Sequence, residues 1–213
     1  MKIYTFYTSS HKELYEEWFL PSLKETNPNL ELITRNFDQE CLNGDFMADG
    51  WMTTMHKKID LVIEGIKDNW GTVFIHSDCD IQFFGDIEQD IVSQMGDADL
   101  CGIDDIEEIS CGFFICRGNE KTLSLFQEVK KTMGGKLHDQ YAMNMLRDKF
   151  VNSKKLDEKY YCIAHSIGKV VWEPGIDLEI NNKILVHHAN WIVGVSNKLK
   201  NLEVVKSKVN QLV

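Results

Sequence analysis

The sequence predicts an α/β protein in which a Rossmann-like half is followed by a smaller mixed half. Short apolar segments alternate with amphipathic segments in the first part of the chain, and short strand-like segments cluster later. In addition, Thr72–Ser77 runs directly into Asp78 and Asp80. Acids in that position lie at the carboxyl end of a buried strand, where open α/β sheets bind their ligands. We therefore predict a mixed central sheet flanked by helices.

The amino-terminal half alternates strands with helices. Its predicted strands are Met1–Thr8, Leu30–Phe37, Thr72–Ser77 and Leu100–Ile103, and its predicted helices are Glu13–Lys24, Trp51–Asn69 and Ile87–Met95. Each strand is a short apolar run. The first helix has an apolar side formed by Leu14, Trp18 and Leu23. In the second helix, apolar residues from Met55 to Ile66 recur at helical spacing while lysines and aspartates fill the other face.

The carboxyl-terminal half contains shorter strands and three further helices. Its predicted strands are Gly112–Cys116, Tyr160–Ala164, Val170–Trp172 and Ile184–His187, and its predicted helices run from an Asn119 cap to about Thr132, over Asp139–Phe150 and over Leu202–Val213. Glycines at 134 and 135 separate the first two helices. Only three prolines occur and no low-complexity linker is present, so residues 1–213 are predicted to form a single domain.

Composition limits the function classes. The chain has 23 basic and 33 acidic residues, a net charge of -10, and this argues against nucleic-acid binding. An anionic substrate remains possible because a metal can supply positive charge locally. No segment approaches the roughly 20 apolar residues that span a bilayer, and the amino terminus lacks a signal-peptide pattern. The six cysteines lack paired metal spacing, so we expect reduced thiols in a soluble, cytoplasmic protein.

The pair Asp78 and Asp80 is the main candidate for chemistry. Two carboxylates this close repel each other unless a positive group lies between them, and a hard divalent cation prefers oxygen ligands. The alternative is that both are turn acids that cap the next segment. A calcium loop of the EF-hand type starting at Asp78 is excluded, because Phe83 occupies its glycine position and Gln89 its closing glutamate position.

A second candidate is the pair His187 and His188 at the end of another apolar strand. Adjacent strand residues point to opposite faces, so only one of the two imidazoles can face a given site. An imidazole among oxygen ligands would favour manganese over calcium. Lys198, a short distance on, could reach a diphosphate. Ordinary core or surface histidines and a surface lysine are the alternatives.

Three further segments could contact a ligand. Asp139 and Gln140 open a helix and could hold the hydroxyls of a sugar, although Asp139 could equally be an N-cap. Gly112 begins a strand where the backbone could approach a ligand closely, or it marks a tight strand entry. Lys57 or Lys58 could lean toward a diphosphate, with a solvated helix face as the alternative.

Two other segments complete the predictions. Thr5, Tyr7 and Thr8 close the first strand, where a base would lie in a Rossmann-like crevice, and Tyr7 could stack on it. The acidic stretch is interpreted as solvated loop rather than as a second metal site. It comprises Asp97, Asp99, Asp104, Asp105, Glu107 and Glu108.

Taken in order, these segments resemble metal-dependent glycosyltransferases of the GT-A fold, within the nucleotide-diphospho-sugar transferase family of D-x-D proteins. The matching pieces are Val73–Asp80, Ser110–Phe114, His138–Gln140 and His188–Trp191 with Gly194 and Lys198. The resemblance covers residues 1–200. The small size also resembles the glycosyltransferase domains that large algal viruses use on their capsid glycans.

The resemblance implies a role for each matched position. Asp80, Asp78 and His188 would be ligands of Mn²⁺ or Mg²⁺, with Asp78 also able to reach the ribose. Lys198, together with Lys58 and Gly112, would contact the donor, and Asp139 and Gln140 would face its sugar. Residues 1–105 would mainly bind the nucleotide, residues 106–200 the donor sugar and acceptor, and 201–213 would form the C-terminal helix.

The resemblance also implies a reaction. A hexose, deoxyhexose or pentose would pass from a nucleotide diphosphate sugar, a UDP-sugar by family likeness, to a hydroxyl of a glycan or glycoprotein acceptor, with retention of configuration. Two alternatives stay open. One is a phosphatase of the haloacid-dehalogenase type, whose later acids should lie farther from the first pair than Asp97 and Asp99 do. The other is a nucleotide- or glycan-binding module without turnover.

Overall fold

The computed structural model describes residues 1–162, 172–176, 178, 180 and 183–212. Within these residues the strands are β1 (Lys2–Tyr7), β2 (Glu31–Asn36), β3 (Val73–Ser77), β4 (Ile81–Phe83), β5 (Leu100–Asp105), β6 (Glu108–Arg117), β7 (Ser153–Lys155), β8 (Tyr160–Cys162) and β9 (Val186–His188). The α-helices are α1 (Leu20–Thr26), α2 (Trp51–Asp68), α3 (Glu88–Met95), α4 (Glu120–Thr132), α5 (Asp139–Phe150) and α6 (Val195–Leu212). A π-helical stretch, Leu14–Phe19, leads into α1.

The central sheet has the strand order β2-β1-β3-β6-β5-β7. β1 is parallel to β2 and β3, whereas β6 is antiparallel to both of its neighbours, β3 and β5. It follows that β1, β3 and β5 run in the same direction and end at the same edge of the sheet. In open α/β sheets this carboxyl edge is where ligands bind.

A smaller sheet has the strand order β4-β9-β8 and brings the segment after Asp80 next to the segment that contains His188. β4 begins directly after Asp80 and pairs antiparallel with β9, so that Ile81 lies opposite His188. The Ala189 amide also donates to the Asp80 carbonyl oxygen at 3.0 Å. This register places His188 beside Asp80, although the two residues are far apart in the sequence.

Helices cover both faces of the central sheet. Because successive side chains of a strand point to opposite faces, neighbouring residues of β1 belong to different core clusters. Tyr4 of β1 packs in the cluster formed with α2, α4 and α5, while Ile3 packs in the opposite cluster with the segment 14–26 and α3. A third cluster joins Leu14 to Leu202 and Val205 of α6. The third cluster therefore anchors the helix that carries Lys198.

Most of the predicted elements are confirmed, with several corrections. The first helix contains a π-helical stretch and reaches Thr26. β6 is ten residues long and starts at Glu108 rather than at Gly112. β4 and β7 were not predicted, and α6 starts at Val195 instead of Leu202.

The predicted strands after residue 160 are confirmed only in part. β8 ends at Cys162, and the rest of that predicted strand, residues 163–164, lies outside the described residues. The same holds for residues 170–171, while Trp172 lies outside any strand. The last predicted strand forms as β9, two residues later than expected at its start.

Two further findings concern membranes and thiols. In the part of the chain that the structure describes, no helix is long and apolar enough to cross a bilayer. The cysteines whose side chains are described all carry free, buried thiols: Cys41, Cys79, Cys101, Cys111 and Cys116. Burial raises the pKa of the Cys116 thiol and also that of Cys101, the latter to about 11, so these thiols are protonated at neutral pH.

Candidate active site

A cavity of about 310 Å³ opens at the carboxyl edge of the central sheet. Its lining includes Tyr7 and Thr8 after β1, Asp78 and Asp80 after β3, Asp105 at the end of β5, Ser110–Gly112 in β6, His138–Gln140 at the start of α5, and residues from His188 to Lys198. Lys58 of α2 and the loop between β2 and α2 complete the wall. Segments from both predicted halves therefore meet at one site.

Asp78, Asp80 and His188 form the centre of the cavity. Each offers one ligand atom, and these atoms lie within 4.8 Å of one another. The backbone fixes the arrangement, because the Asp78 amide donates to the Gly112 carbonyl oxygen at 2.6 Å. The predicted metal ligands are thus brought together by β3, β6 and β9.

The geometry of these three residues suits a divalent cation. His188 Nε2 lies 3.2 Å from Asp80 Oδ1. Neighbouring ligands on one ion, each about 2.1 Å from it, lie roughly 3 Å apart. Gly112 leaves the necessary space, because a Cβ at this position would lie 2.2 Å from His188 Cε1 and 2.8 Å from Asp78 Oδ2. Two carboxylates and one imidazole nitrogen form a ligand set that a divalent cation can use.

Lys198 supplies positive charge at the same place. Its ammonium group contacts Asp80 Oδ2 and donates to the Ala189 carbonyl oxygen at 3.3 Å. Burial alone would raise the pKa of the Asp80 carboxyl, but Lys198 and His188 outweigh burial and hold that pKa well below its usual range. Asp80 is therefore ionised at neutral pH and ready to bind a cation.

Lys58 lies beneath the metal ligands rather than on a solvated helix face. Its side chain is 3% exposed, and its Nζ atom lies 3.0 Å from Asp78 Oδ1 and 2.9 Å from Asp139 Oδ2. Burial would lower the pKa of this ammonium, but the two carboxylates raise it well above the usual value. Lys58 is consequently a fixed charge that joins Asp78 to Asp139, whereas Lys57 pairs with Glu40.

Asp139 is the first residue of α5 and is almost fully buried. Besides Lys58, its partner is His138, whose Nδ1 lies 3.4 Å from Asp139 Oδ1. Burial would raise the pKa of this carboxyl, yet Lys58 and His138 lower it overall. His138 is the N-cap residue, so Asp139 is not the cap that one interpretation of the sequence expected.

Gln140 is held by three polar contacts. Its Nε2 donates to Asp105 Oδ2 and to Glu108 Oε2, both at 2.8 Å, and its Oε1 accepts from the Cys111 amide at 3.1 Å. Asp105 is buried at the end of β5 and also accepts the indole N–H of Trp191 at 3.1 Å. The interpretation of Asp105 as solvated loop is therefore wrong, because donors from α5 and from the segment after β9 cover it.

The interpretation of Asp99 as part of a solvated loop is also wrong. This residue is buried, and its carboxylate accepts from Asn119 Nδ2 at 2.8 Å and from the Asn152 amide at 3.0 Å. It fastens the start of α4 to the segment before β7. Its role is structural, and it lies away from the cavity.

Tyr7 and Thr8 lie on the cavity wall at the end of β1. The Tyr7 ring stacks on Tyr15, with ring centroids 4.4 Å apart and planes 9° apart. Thr5 differs from both, because it is fully buried inside β1 and does not line the cavity. The structure thus brings two of the three residues predicted for the crevice to the site.

The loop 37–50 forms a wall that sequence reasoning missed. Gln39 ties it to the start of the chain, since its Oε1 accepts from the Ser10 amide at 2.9 Å. Gly50 has a φ of +83°, and a Cβ there would lie 2.0 Å from the Glu40 carbonyl oxygen. Phe46 from this loop packs edge-on against His138 at 5.4 Å. The only sequence signal for this wall was the aromatic pair Phe46 and Trp51.

The fold is similar to those of several solved glycosyltransferases. GlyE from Streptococcus pneumoniae TIGR4 superposes with a TM-score of 0.58 at 11% identity, covering 99% of this chain and 63% of GlyE. The galactosyltransferase LgtC, solved with donor and acceptor sugar analogues, superposes with a TM-score of 0.55 at 11% identity. The match covers 100% of this chain and 96% of LgtC. The bifunctional glycosyltransferase WbbM superposes with a TM-score of 0.61 at 9% identity, and the match covers 97% of this chain and 51% of WbbM.

Identities this low show the fold alone, and the chain spans less than two thirds of GlyE and about half of WbbM. Among curated proteins, none matches the chain in sequence. A model of the nucleotide-diphospho-sugar transferase family, however, matches residues 19–202, which include all three predicted metal ligands. The chain therefore belongs to the nucleotide-diphospho-sugar transferase family and has the GT-A fold of its glycosyltransferases.

Proposed function

We propose that this protein is a metal-dependent glycosyltransferase that moves a hexose, deoxyhexose or pentose from a UDP-sugar to a hydroxyl of a glycan or glycoprotein acceptor, with retention. The observation that carries the proposal is the convergence of Asp78, Asp80 and His188 within 4.8 Å, at the ligand-binding edge of the sheet. Family membership removes the phosphatase alternative.

Asp78, Asp80 and His188 would hold Mn²⁺ or Mg²⁺. A divalent cation bound there would offset the negative charge that builds on the departing diphosphate. Lys198 would add a second positive charge on the same side, because its ammonium group already lies against Asp80. His76 supports Asp78 from below, with its Nε2 3.6 Å from Asp78 Oδ1, and burial lowers the pKa of this imidazole and keeps it neutral.

Asp139 and Gln140 would face the donor sugar. Both line the same cavity as Gly112, whose Cα hydrogen faces His188 and Asp78 at a distance that leaves no room for a side chain. Gln140 is held by donors and acceptors on three other residues, and such support keeps a binding group in a single orientation. The Asp139 carboxylate would stabilise positive character at the anomeric carbon.

Retention is proposed from family likeness, and the electrostatics of three cavity carboxylates agree with it. Inversion needs a general base for the acceptor hydroxyl, and an efficient base has a pKa near the working pH. Asp78, Asp80 and Asp139 all have lowered pKa values, so none of the three is a strong base at neutral pH. Attack by the acceptor on the face that the diphosphate leaves requires no such base, and the diphosphate oxygen itself could take the proton.

The nucleoside would lie near Tyr7 and Thr8. The carboxyl end of β1 is next to that of β3 in the sheet, so a base at this point could be joined through ribose and diphosphate to the metal ligands. Uridine is proposed from family likeness, with guanosine as the alternative. The stacked ring of Tyr7 offers an aromatic surface for either base.

A thermal-shift screen of nucleotide sugars, with and without Mn²⁺, tests the proposal. A ligand that binds only the native state stabilises it by about 2.7 kcal/mol at a hundred times its Kd, and we expect such a shift for a UDP-sugar only when Mn²⁺ is present. Slow release of free UDP from the bound donor would show turnover. Binding without any release would favour the binding module instead, and the absence of every metal-dependent shift would contradict the proposal.

A further inference from the structure

Trp191 is a large apolar residue held in an unusual position on the cavity wall. Its side chain is 52% exposed although it lines the cavity. Its φ of +60° lies in the left-handed region, which is strained for a residue other than glycine. Strained residues of this kind cluster at ligand-binding sites.

The orientation of Trp191 is fixed by Asp105. The indole N–H lies 3.1 Å from each Asp105 carboxylate oxygen, and Gln140 Nε2 donates to Oδ2 of the same group at 2.8 Å. Because Asp105 is itself buried in β5, the indole is tied to the central sheet rather than to a surface loop. An exposed ring with a fixed orientation is a preorganised binding surface.

Trp191 lies apart from Tyr7, where the nucleoside is proposed to bind. In the sheet, β3 and β6 lie between β1, which carries Tyr7, and β5, which carries Asp105. Three strand spacings of about 4.8 Å place the ends of β1 and β5 roughly 14 Å apart. Asp78 and Asp80 lie between them, at the end of β3. Trp191 is therefore across the metal ligands from Tyr7, on the side of Asp139 and Gln140.

We propose that Trp191 is the surface on which a pyranose ring of the acceptor stacks. A pyranose presents C–H groups on one face, and the electron-rich face of an indole attracts them while burying apolar area. This inference rests on the proposed function and names its acceptor class as a glycan that ends in a pyranose. Val193, which is 62% exposed, adds a second apolar side chain to the lining of the same cavity.

The first test uses protein labelled with 5-fluorotryptophan, in which each of the five tryptophans gives one ¹⁹F signal, assigned by Trp→Phe variants. Methyl pyranosides are titrated to tens of millimolar with UDP and Mn²⁺ present. Trp70 is the matched control, because it is 54% exposed but does not line the cavity. We expect at least one pyranoside to move the Trp191 signal saturably and leave Trp70 unchanged. No movement, or equal movement of both signals, would overturn the inference.

The second test separates this inference from the proposed function. We expect Trp191→Ala to weaken pyranoside binding on the order of tenfold or more, while Trp191→Phe, which keeps a ring, loses much less. The Kd for UDP with Mn²⁺ should stay within about twofold in both variants, since Tyr7 lies across the site. A large loss of UDP affinity in Trp191→Ala would assign the ring to the nucleotide and overturn the inference. Failure of wild-type protein to bind UDP-sugars would instead count against the proposed function.

Discussion

Lys58 and Asp139 form an ion pair of 2.9 Å in which both side chains are almost completely buried. The same ammonium group lies 3.0 Å from Asp78, so one lysine neutralises a candidate metal ligand and a candidate sugar-binding carboxylate. Two ions taken out of water are tolerated only when they are paired well. The pair therefore connects the stability of the fold to the geometry of the site.

Lys58→Met should lower the free energy of unfolding by about 3 to 5 kcal/mol, because it leaves the buried Asp139 carboxylate and the partly buried Asp78 carboxylate without the lysine that they share. Urea unfolding measures this loss. The destabilisation should be smaller at pH 5 than at pH 8, since without Lys58 the pKa of the Asp139 carboxyl rises and protonation relieves the buried charge.

Lys57→Met is the matched control for that variant. Lys57 is the neighbouring residue on α2, and its pair with Glu40 is partly exposed. An exposed pair contributes roughly 0 to 1 kcal/mol, so the control should unfold almost like the wild type. Equal losses of unfolding free energy in the two variants would contradict the role of Lys58 as the counter-charge of Asp139. A loss in Lys58→Met that does not change with pH would contradict it as well.

Gly112→Ala should weaken Mn²⁺ binding by about tenfold or more, because the added methyl group would lie 2.2 Å from His188 Cε1 and push the imidazole away from Asp80. Calorimetry with Mn²⁺ alone measures the change. Gly134→Ala is the control, since a Cβ there meets nothing within 4 Å. If both variants bind Mn²⁺ like the wild type, the crowding at Gly112 has no bearing on the site.

The stability of the protein should fall below pH 6.5, partly through His187. Burial lowers the pKa of this imidazole to about 3, and the neighbouring His188 adds to the effect. The unfolded chain takes up a proton at its ordinary pKa of about 6.5, whereas the native state does not. Between these two values the free energy of unfolding falls by at most about 1.4 kcal/mol per pH unit, and above pH 6.5 this contribution vanishes.

Urea unfolding of wild-type protein and of His187→Gln from pH 7.5 to pH 5 tests this assignment. The variant should show a shallower dependence on pH between 6.5 and 5, whatever its absolute stability. Carboxyl groups contribute little in that window, because their unfolded pKa values lie near 4. The same slope in both proteins would mean that the pKa of His187 is the same in the native and unfolded states, and would contradict the assignment.

Much of the fold could be predicted because its signals are local. Helix α2 follows from the spacing of its apolar residues, and α4 from Asn119, which forms a capping box with Thr122. Strand β3, which ends directly before Asp78, follows from a single apolar run. In contrast, β4 and β7 are only three residues long, and strands this short carry no clear period.

The site was only partly predictable because several of its features depend on distant partners. Asp78, Asp80 and His188 were found through the order of motifs along the chain. The sequence suggests Lys58 as a donor contact or as solvated helix surface, but nothing near it in the sequence shows the two carboxylates that it meets. Asp105 was read as loop because its donors, Gln140 and Trp191, come from other parts of the chain. Burial of a charge is decided by tertiary contacts that no local pattern reports.

The most direct test of the account is calorimetric titration of UDP-sugar into wild-type protein and Asp80→Asn, each with Mn²⁺ and with a chelator. The wild type should bind only with Mn²⁺, and Asp80→Asn should lose that binding while keeping the circular dichroism spectrum of the fold. Asp148→Asn, at an exposed carboxyl on α5, should bind like the wild type. Metal-dependent binding that survives in Asp80→Asn, or wild-type binding that is indifferent to the chelator, would contradict a metal site formed by Asp78, Asp80 and His188.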